Sequence, residues 1–215
     1  MDENIQIIQS IEKQVKELKV PWVTKVFKKK DPYQILISCI LSLRTKDKTT
    51  ADASRRLFNV ADNPKRMINL SVARLERLIY PVGFYRNKAR SILEISRRIM
   101  DDFNGRVPHS LEDLLRLKGV GRKTANLVLG LGYNVDSICV DTHVHRISNR
   151  LGWARTMNPY QTEEELKGII PKIYWIRLNT ILVAFGQNIC LPISPYCSRC
   201  LTRKLCKRQK VGRWR

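Results

Sequence analysis

Apolar residues recur along this chain at intervals of three and four, the spacing of one helical face, and almost nowhere in the alternation of a strand. Ile5, Ile8, Ile11, Val15 and Leu18 trace such a face at the start. Asp31-Pro32 reads as an N-cap followed by proline in the first turn, opening a helix through Ile35, Leu36, Cys39, Ile40 and Leu43. Asp47 is placed to cap the next helix, toward Phe58, and Ser71 a short one toward Ile79. A longer amphipathic stretch, Arg86 to Phe103, turns Ile92, Ile95 and Ile99 inward and ends before Gly105. Ser110 with Asp113, and Thr162 with Glu165, have the spacing of capping boxes. Pro171 starts an apolar helix through Ile181, Leu182 and Phe185 that leads to Cys190. The pattern predicts an all-α protein of about ten short helices, without internal repeats or low-complexity linkers.

The 215 residues suffice for one large domain or two small ones, and the 43% hydrophobic content is that of a globular chain. Charge changes the picture more. A net charge of +21 exceeds what solubility requires and implies a polyanionic partner, nucleic acid first. A membrane surface is the rival, but the longest apolar run, Ile35 to Leu43 with Ser38 and Ser42 inside it, is too short to span a bilayer. The start Met1-Asp2-Glu3-Asn4 lacks the basic and apolar stretches of a signal or transit peptide. Cys39 and Cys139 sit in apolar surroundings and read as small buried thiols, which points to a reducing compartment.

Four further cysteines, Cys190, Cys197, Cys200 and Cys206, form a C-x6-C-x2-C-x5-C loop beside Pro192 and Pro195. Such clustering argues for metal ligation rather than ordinary burial. Four thiolates suit tetrahedral zinc or a cubane iron–sulfur cluster. Structural zinc usually brings two close pairs across a longer spacer, and only one C-x2-C pair occurs here, so the spacing favours iron–sulfur over zinc.

Residues 117 to 125, Leu117-Lys118-Gly119-Val120-Gly121-Arg122-Lys123-Thr124-Ala125, lie between two helical stretches. Two glycines one residue apart permit a turn closed to residues with side chains and present backbone N–H groups beside a helix start, an arrangement suited to phosphate. This is the pattern of a helix-hairpin-helix motif. A Walker P-loop is excluded, because its G-x4-G-K-[ST] spacing is absent and no strand precedes the glycines. Further on comes Val140-Asp141-Thr142-His143-Val144-His145-Arg146, a polar cluster between apolar neighbours. Asp141 could cap the helix through Ile147. His143 and His145, two residues apart, do not converge on one helical face and read as polar contacts rather than metal ligands.

Taken in order, Gly83-Phe84-Tyr85-Arg86-Asn87-Lys88-Ala89, the hairpin, Val140-Asp141-Thr142-His143 and the cysteine loop resemble the endonuclease III family of base-excision DNA glycosylases over essentially the whole length. The resemblance implies two helical domains with a cleft between them: residues 25–135 as a six-helix domain carrying the hairpin, and residues 1–24 with 136–215 as a discontinuous domain holding a [4Fe-4S] cluster on Cys190, Cys197, Cys200 and Cys206. It implies a monomer that acts on duplex DNA containing damaged bases or abasic sites, in the cytoplasm (nucleoid-associated) or another reducing compartment that contains DNA. Lys123 would be the nucleophile and Asp141 the catalytic carboxylate of a bifunctional glycosylase and abasic-site lyase for oxidised pyrimidines. Gly119, Val120, Gly121 and Arg122 would hold phosphate, as would Arg199, Lys204, Lys207 and Arg208 on the cysteine loop, where a merely solvated charge run is the alternative.

Arg44 departs from the pattern, since bacterial members commonly place glutamine there to help fill the gap left by the flipped base. Phe84 falls where the family inserts an apolar wedge, although an apolar residue at a helix junction is more often core. Two alternative functions remain at this level. One is a mismatch (uracil or thymine) glycosylase of the same superfamily, and the other a non-enzymatic DNA-binding protein whose hairpin only holds the duplex.

Overall fold

The computed structural model describes residues 2–16, 18 and 31–215, and among them the chain forms eleven α-helices and no strand. It divides into two compact units, Trp22–Val135 and a discontinuous one of Met1–Pro21 with Asp136–Arg215. The boundary expected between residues 24 and 25 lies outside the described residues.

The first helix, α1 (Glu3–Lys16), belongs to the discontinuous unit and buries Ile7, Ile8, Ile11 and Val15. The other unit begins its described part at α2 (Pro32–Ser42), where the Asp31 carboxylate accepts the Gln34 N–H at 2.9 Å and Pro32 occupies the first turn. Nearly every side chain of α2 from Tyr33 to Leu41 is buried, so this helix is the core of its unit rather than one wall of it. Each such Leu or Ile removed from water contributes about 1.5–3 kcal/mol. Around it lie α3 (Asp47–Val60), α4 (Pro64–Met67), α5 (Val72–Ile79), α6 (Tyr85–Asp102), α7 (Leu111–Leu115) and α8 (Arg122–Leu127). A single π turn, Val128–Gly132, continues α8.

Capping follows the sequence in part. Ser71 and Ser110 accept the N–H groups of Arg74 and Asp113 at 3.3 and 3.1 Å. Asp47 is not the cap of α3: Lys46 holds that position without a side-chain bond, and Asp47 stands in the first turn, where its carboxylate complements the helix dipole. On α6 the inward face of Ile92, Ile95 and Ile99 is buried as expected, one residue earlier in register at each end than the pattern indicated.

In the discontinuous unit, α9 (Thr142–Leu151), α10 (Pro159–Ile169) and α11 (Lys172–Asn188) join α1. Ile7, Ile8 and Ile11 form one buried cluster with Val144, Ile147, Leu178, Leu182 and Phe185. The capping box expected of Thr162 and Glu165 does not form. Asn158 caps α10 by accepting from the Gln161 N–H, while Thr162 is fully buried inside the helix and bonds Thr156 and His145 through its hydroxyl. Asn158-Pro159 is the stronger start signal, because the cap side chain takes up an orphan N–H while proline at the first helical position has none to leave unpaired and a φ already set for the helix. Among the described residues no helix is long and apolar enough to cross a membrane.

Candidate functional site

Between α7 and α8 the chain makes its hairpin. Leu114, Leu117 and Val120 are buried and anchor it, and the Val120 N–H donates to the Leu117 carbonyl at 3.0 Å. Val120 therefore holds the hairpin to its unit, and its amide is already engaged. Gly119 adopts φ 82°, the left-handed conformation that favours glycine. Gly121 is different: its φ of −94° is open to any residue, and a Cβ there would meet nothing within 4 Å. Of the two glycines only Gly119 is demanded by the turn; at Gly121 the protein simply leaves space on an exposed surface.

Lys123 is exposed in the first turn of α8, and its charge is felt at Cys39 of α2. Burial pushes the Cys39 thiol up to about 12, and the positive charge of Lys123 draws it partly back. Cys39 is thus a neutral, buried neighbour of the candidate nucleophile, a proximity that spacing along the chain does not disclose.

Arg44 and Phe84 meet on the same unit. Phe84 is 61% exposed, which removes the core alternative, and the Arg44 guanidinium lies 5.7 Å from the centre of its ring. Both residues have left-handed backbones, φ 51° and 57°, a conformation that costs roughly 1–3 kcal/mol for a residue with a side chain. The surroundings that hold them there centre on Lys88, which is 7% exposed. Its Nζ donates to the carbonyls of Leu41 and Leu43 at 2.9 and 2.5 Å and to Thr45 Oγ1 at 3.2 Å. Burial pushes this ammonium down to about 8, and three accepting oxygens oppose that loss. In the sequence Lys88 carries no assigned role, although it stands one helical turn before Ile92 on the inward face of α6, which is the signal of a buried lysine.

Asp141 caps α9, its carboxylate accepting the N–H groups of His143 and Val144, both at 2.9 Å. His143 bonds Arg146 at 3.2 Å and His145 bonds Thr162 at 2.7 Å, so both histidines make polar contacts within the unit. Arg146 also donates to the carbonyls of Gly186 and Cys190, at 3.2 and 2.9 Å.

Cys190, Cys197, Cys200 and Cys206 line one pocket whose wall includes Ile147, Leu151, Phe185 and Ile189. Burial pushes the thiols of Cys197, Cys200 and Cys206 up, and neighbouring cysteines add to the effect. Arg150 underlies the loop: it donates to the Leu191 and Pro192 carbonyls at 2.6 and 2.7 Å and approaches Cys190 Sγ at 3.4 Å. Sequence reasoning missed it, because an arginine ending an amphipathic helix reads as solvated. No three Cys, His, Asp or Glu side chains among the described residues converge on the position of a single metal ion. Arg199, Lys204, Lys207 and Arg208 are exposed around the loop. Arg208 also packs against Trp214, 6.0 Å from its ring centre.

A hairpin of this kind in one unit and a cysteine-lined pocket in the other point to the class of helix-hairpin-helix proteins, and the family model described as "HhH-GPD superfamily base excision DNA repair protein" matches residues 37–172. Endonuclease III of Thermotoga maritima is 48% identical over 84% of this chain and 84% of its own length. Endonuclease III-like protein 1 of Mus musculus is 41% identical over 81% of this chain, which spans only 59% of that longer relative. Among solved structures, a trapped endonuclease III–DNA covalent intermediate, an estranged-adenine complex, superposes with a TM-score of 0.83 at 32% identity, covering 97% of both chains. A thermostable thymine-DNA glycosylase, at 24% identity and a TM-score of 0.86, shares the fold. The chain belongs to the HhH-GPD superfamily of base excision DNA repair proteins and, within it, to the endonuclease III family.

Proposed function

We propose that this protein is a bifunctional DNA glycosylase and abasic-site lyase that removes oxidised pyrimidines from duplex DNA in base excision repair. The observation that carries the reading is the likeness, over 97% of the chain, to an endonuclease III trapped in covalent linkage to DNA, with Lys123 exposed at the start of the hairpin's second helix. A glycosylase has to take its base out of the stack before the glycosidic carbon can be attacked. The Lys123 amine attacks C1′ of the flipped nucleotide; the C1′–N bond breaks, and the base leaves with the bonding pair and takes up a proton. The new C1′ nitrogen loses one of its two protons, and the C1′–O4′ bond then breaks with protonation of O4′, which opens the ring and leaves a protonated Schiff base. Removal of a C2′ proton then expels the 3′ phosphate and nicks the strand, and water releases Lys123 from the sugar remnant. Asp141 stabilises positive charge developing on the sugar and accepts a proton from the attacking amine.

Gly119, Gly121 and Arg122 of the hairpin hold one stretch of phosphate backbone, and Arg199, Lys204, Lys207 and Arg208 hold another. The donor set of the cysteine loop fits a [4Fe-4S] cluster better than zinc. Zinc needs all four sulfurs about 2.3 Å from one centre, whereas a cubane takes one thiolate at each iron and tolerates sulfurs spread around a pocket. When bound, the cluster supplies structural order to the loop that presents these cations. Two buried thiols, Cys39 and Cys139, neither in a disulfide, suit a reducing compartment that contains DNA.

Borohydride reduction in the presence of an abasic duplex tests the assignment. The wild-type protein is expected to form a covalent adduct, and Lys123→Gln none. Absence of the adduct from the wild type would return the protein to the mismatch-glycosylase or non-enzymatic readings. A panel of duplexes carrying thymine glycol, dihydrouracil, uracil or mismatched thymine then ranks its substrates.

A further inference from the structure

Phe84 and Arg44 are forty positions apart in sequence and belong to two turns that one residue joins. The Lys88 backbone N–H donates to the Phe84 carbonyl at 3.0 Å in the first turn of α6, while its Nζ reaches Leu41, Leu43 and Thr45 on both sides of Arg44. Thr45 Oγ1 closes the arrangement by accepting the Gly83 N–H at 3.1 Å. The turns also meet backbone to backbone: a Cβ added to Gly83 would stand 2.6 Å from the Arg44 carbonyl oxygen. Two strained residues that would relax separately are thereby held with the guanidinium over the ring.

We propose that Lys88 is a positioning residue that locks Arg44 and Phe84 into a single rigid finger, so that the two side chains enter the gap left by a flipped nucleotide as one unit. Lys88 is itself buried and touches no DNA. Its effect is on the geometry of the pair, whose exposed aromatic and cationic surfaces suit stacking on an unpaired base. The inference rests on the glycosylase reading for the presence of a gap, and not on Lys123 chemistry.

Duplex binding by the full chain tests it, with a tetrahydrofuran abasic analogue and an undamaged duplex as probes. Lys88→Met is expected to lower the preference for the abasic analogue about tenfold, the scale of one lost stacking contact, and to leave affinity for the undamaged duplex within about twofold. In an Arg44→Ala/Phe84→Ala background the same substitution should change the preference by less than about twofold, because nothing remains to be positioned. A 2-aminopurine opposite the analogue should report the pair's insertion in the wild type and lose that fluorescence change in Lys88→Met. Gly83→Ala disturbs the same loop from its other side and should reproduce the loss even if Lys88→Met fails to fold. An unchanged preference in either folded variant, or an undiminished effect of Lys88→Met in the double-alanine background, overturns the proposal. A wild type that neither prefers the abasic analogue nor forms a borohydride adduct overturns the glycosylase reading instead.

Discussion

The two units hold their irregular segments by opposite means. In the unit of α2 to α8, the turns bearing Arg44 and Phe84 are fixed from below by a buried amine, and the hairpin by the apolar side chains of Leu117 and Val120. The residues proposed to act there stand exposed on top of supports that are separate from them. In the discontinuous unit the segment from Cys190 onward contains, among regular elements, one short 3-10 turn at Cys197–Arg199. Arg150 braces one end, and backbone bonds between Pro195 and Arg215 and between Ser198 and Arg215 close the other. Gln14 bonds the Arg199 carbonyl and the Leu201 N–H from α1, and the Gln209 N–H reaches the Arg150 carbonyl. If the cysteines hold the proposed cluster, the functional group is there also part of the support. The comparison teaches that chemistry should be removable from the first unit without loss of fold, and ligation should not be removable from the second.

The largest effect that sharpens this contrast is Lys123→Gln, expected to abolish strand nicking and covalent trapping while melting stays within about 2 °C of wild type, as for an exposed substitution. Residual trapping would take the nucleophile's role from Lys123. Asp141→Asn crosses the boundary between the two behaviours. Asparagine still accepts the N–H groups of His143 and Val144, so stability should change little, while base release slows about 10²–10³-fold through loss of charge. Single-turnover base release combined with thermal unfolding separates the two. Cys197→Ser is expected to lower iron content and to raise hydrogen exchange in residues 190–215 before it reduces chemistry on bound substrate. Stoichiometric zinc without iron in anaerobically purified wild type would break that side of the comparison.

Smaller effects probe the exposed side chains. Phe84→Ala and Arg44→Ala should each weaken binding to a lesion or abasic duplex by about 1–3 kcal/mol, with less effect on undamaged DNA. If Arg44 reads the orphan base, its alanine variant also changes the preference between guanine and adenine opposite the lesion. The smallest change is that of Arg208→Ala, which should shallow the log–log dependence of affinity on salt by about 0.9 on every duplex if the residue contacts one phosphate. A change confined to damaged duplexes would place Arg208 near the lesion instead.

The all-helical fold, the hairpin and the grouping of four cysteines were legible in the sequence because each is local. Helical periodicity, a cap followed by proline at Asp31-Pro32, a glycine at the left-handed position 119 and cysteines a few residues apart are satisfied within one or two turns of chain. Local signals also misled where two competed, as when Asn158-Pro159 displaced Thr162 as the start of α10. What the tertiary structure alone decided was of longer range. Phe84 could be core or wedge until its exposure was seen, and nothing in the sequence marks Lys88 and Arg150 as the cations that bond carbonyls about forty positions away. The physical reason is that a buried cation is stabilised only by oxygens brought to it by packing, and the separation of those oxygens along the chain leaves no periodic trace.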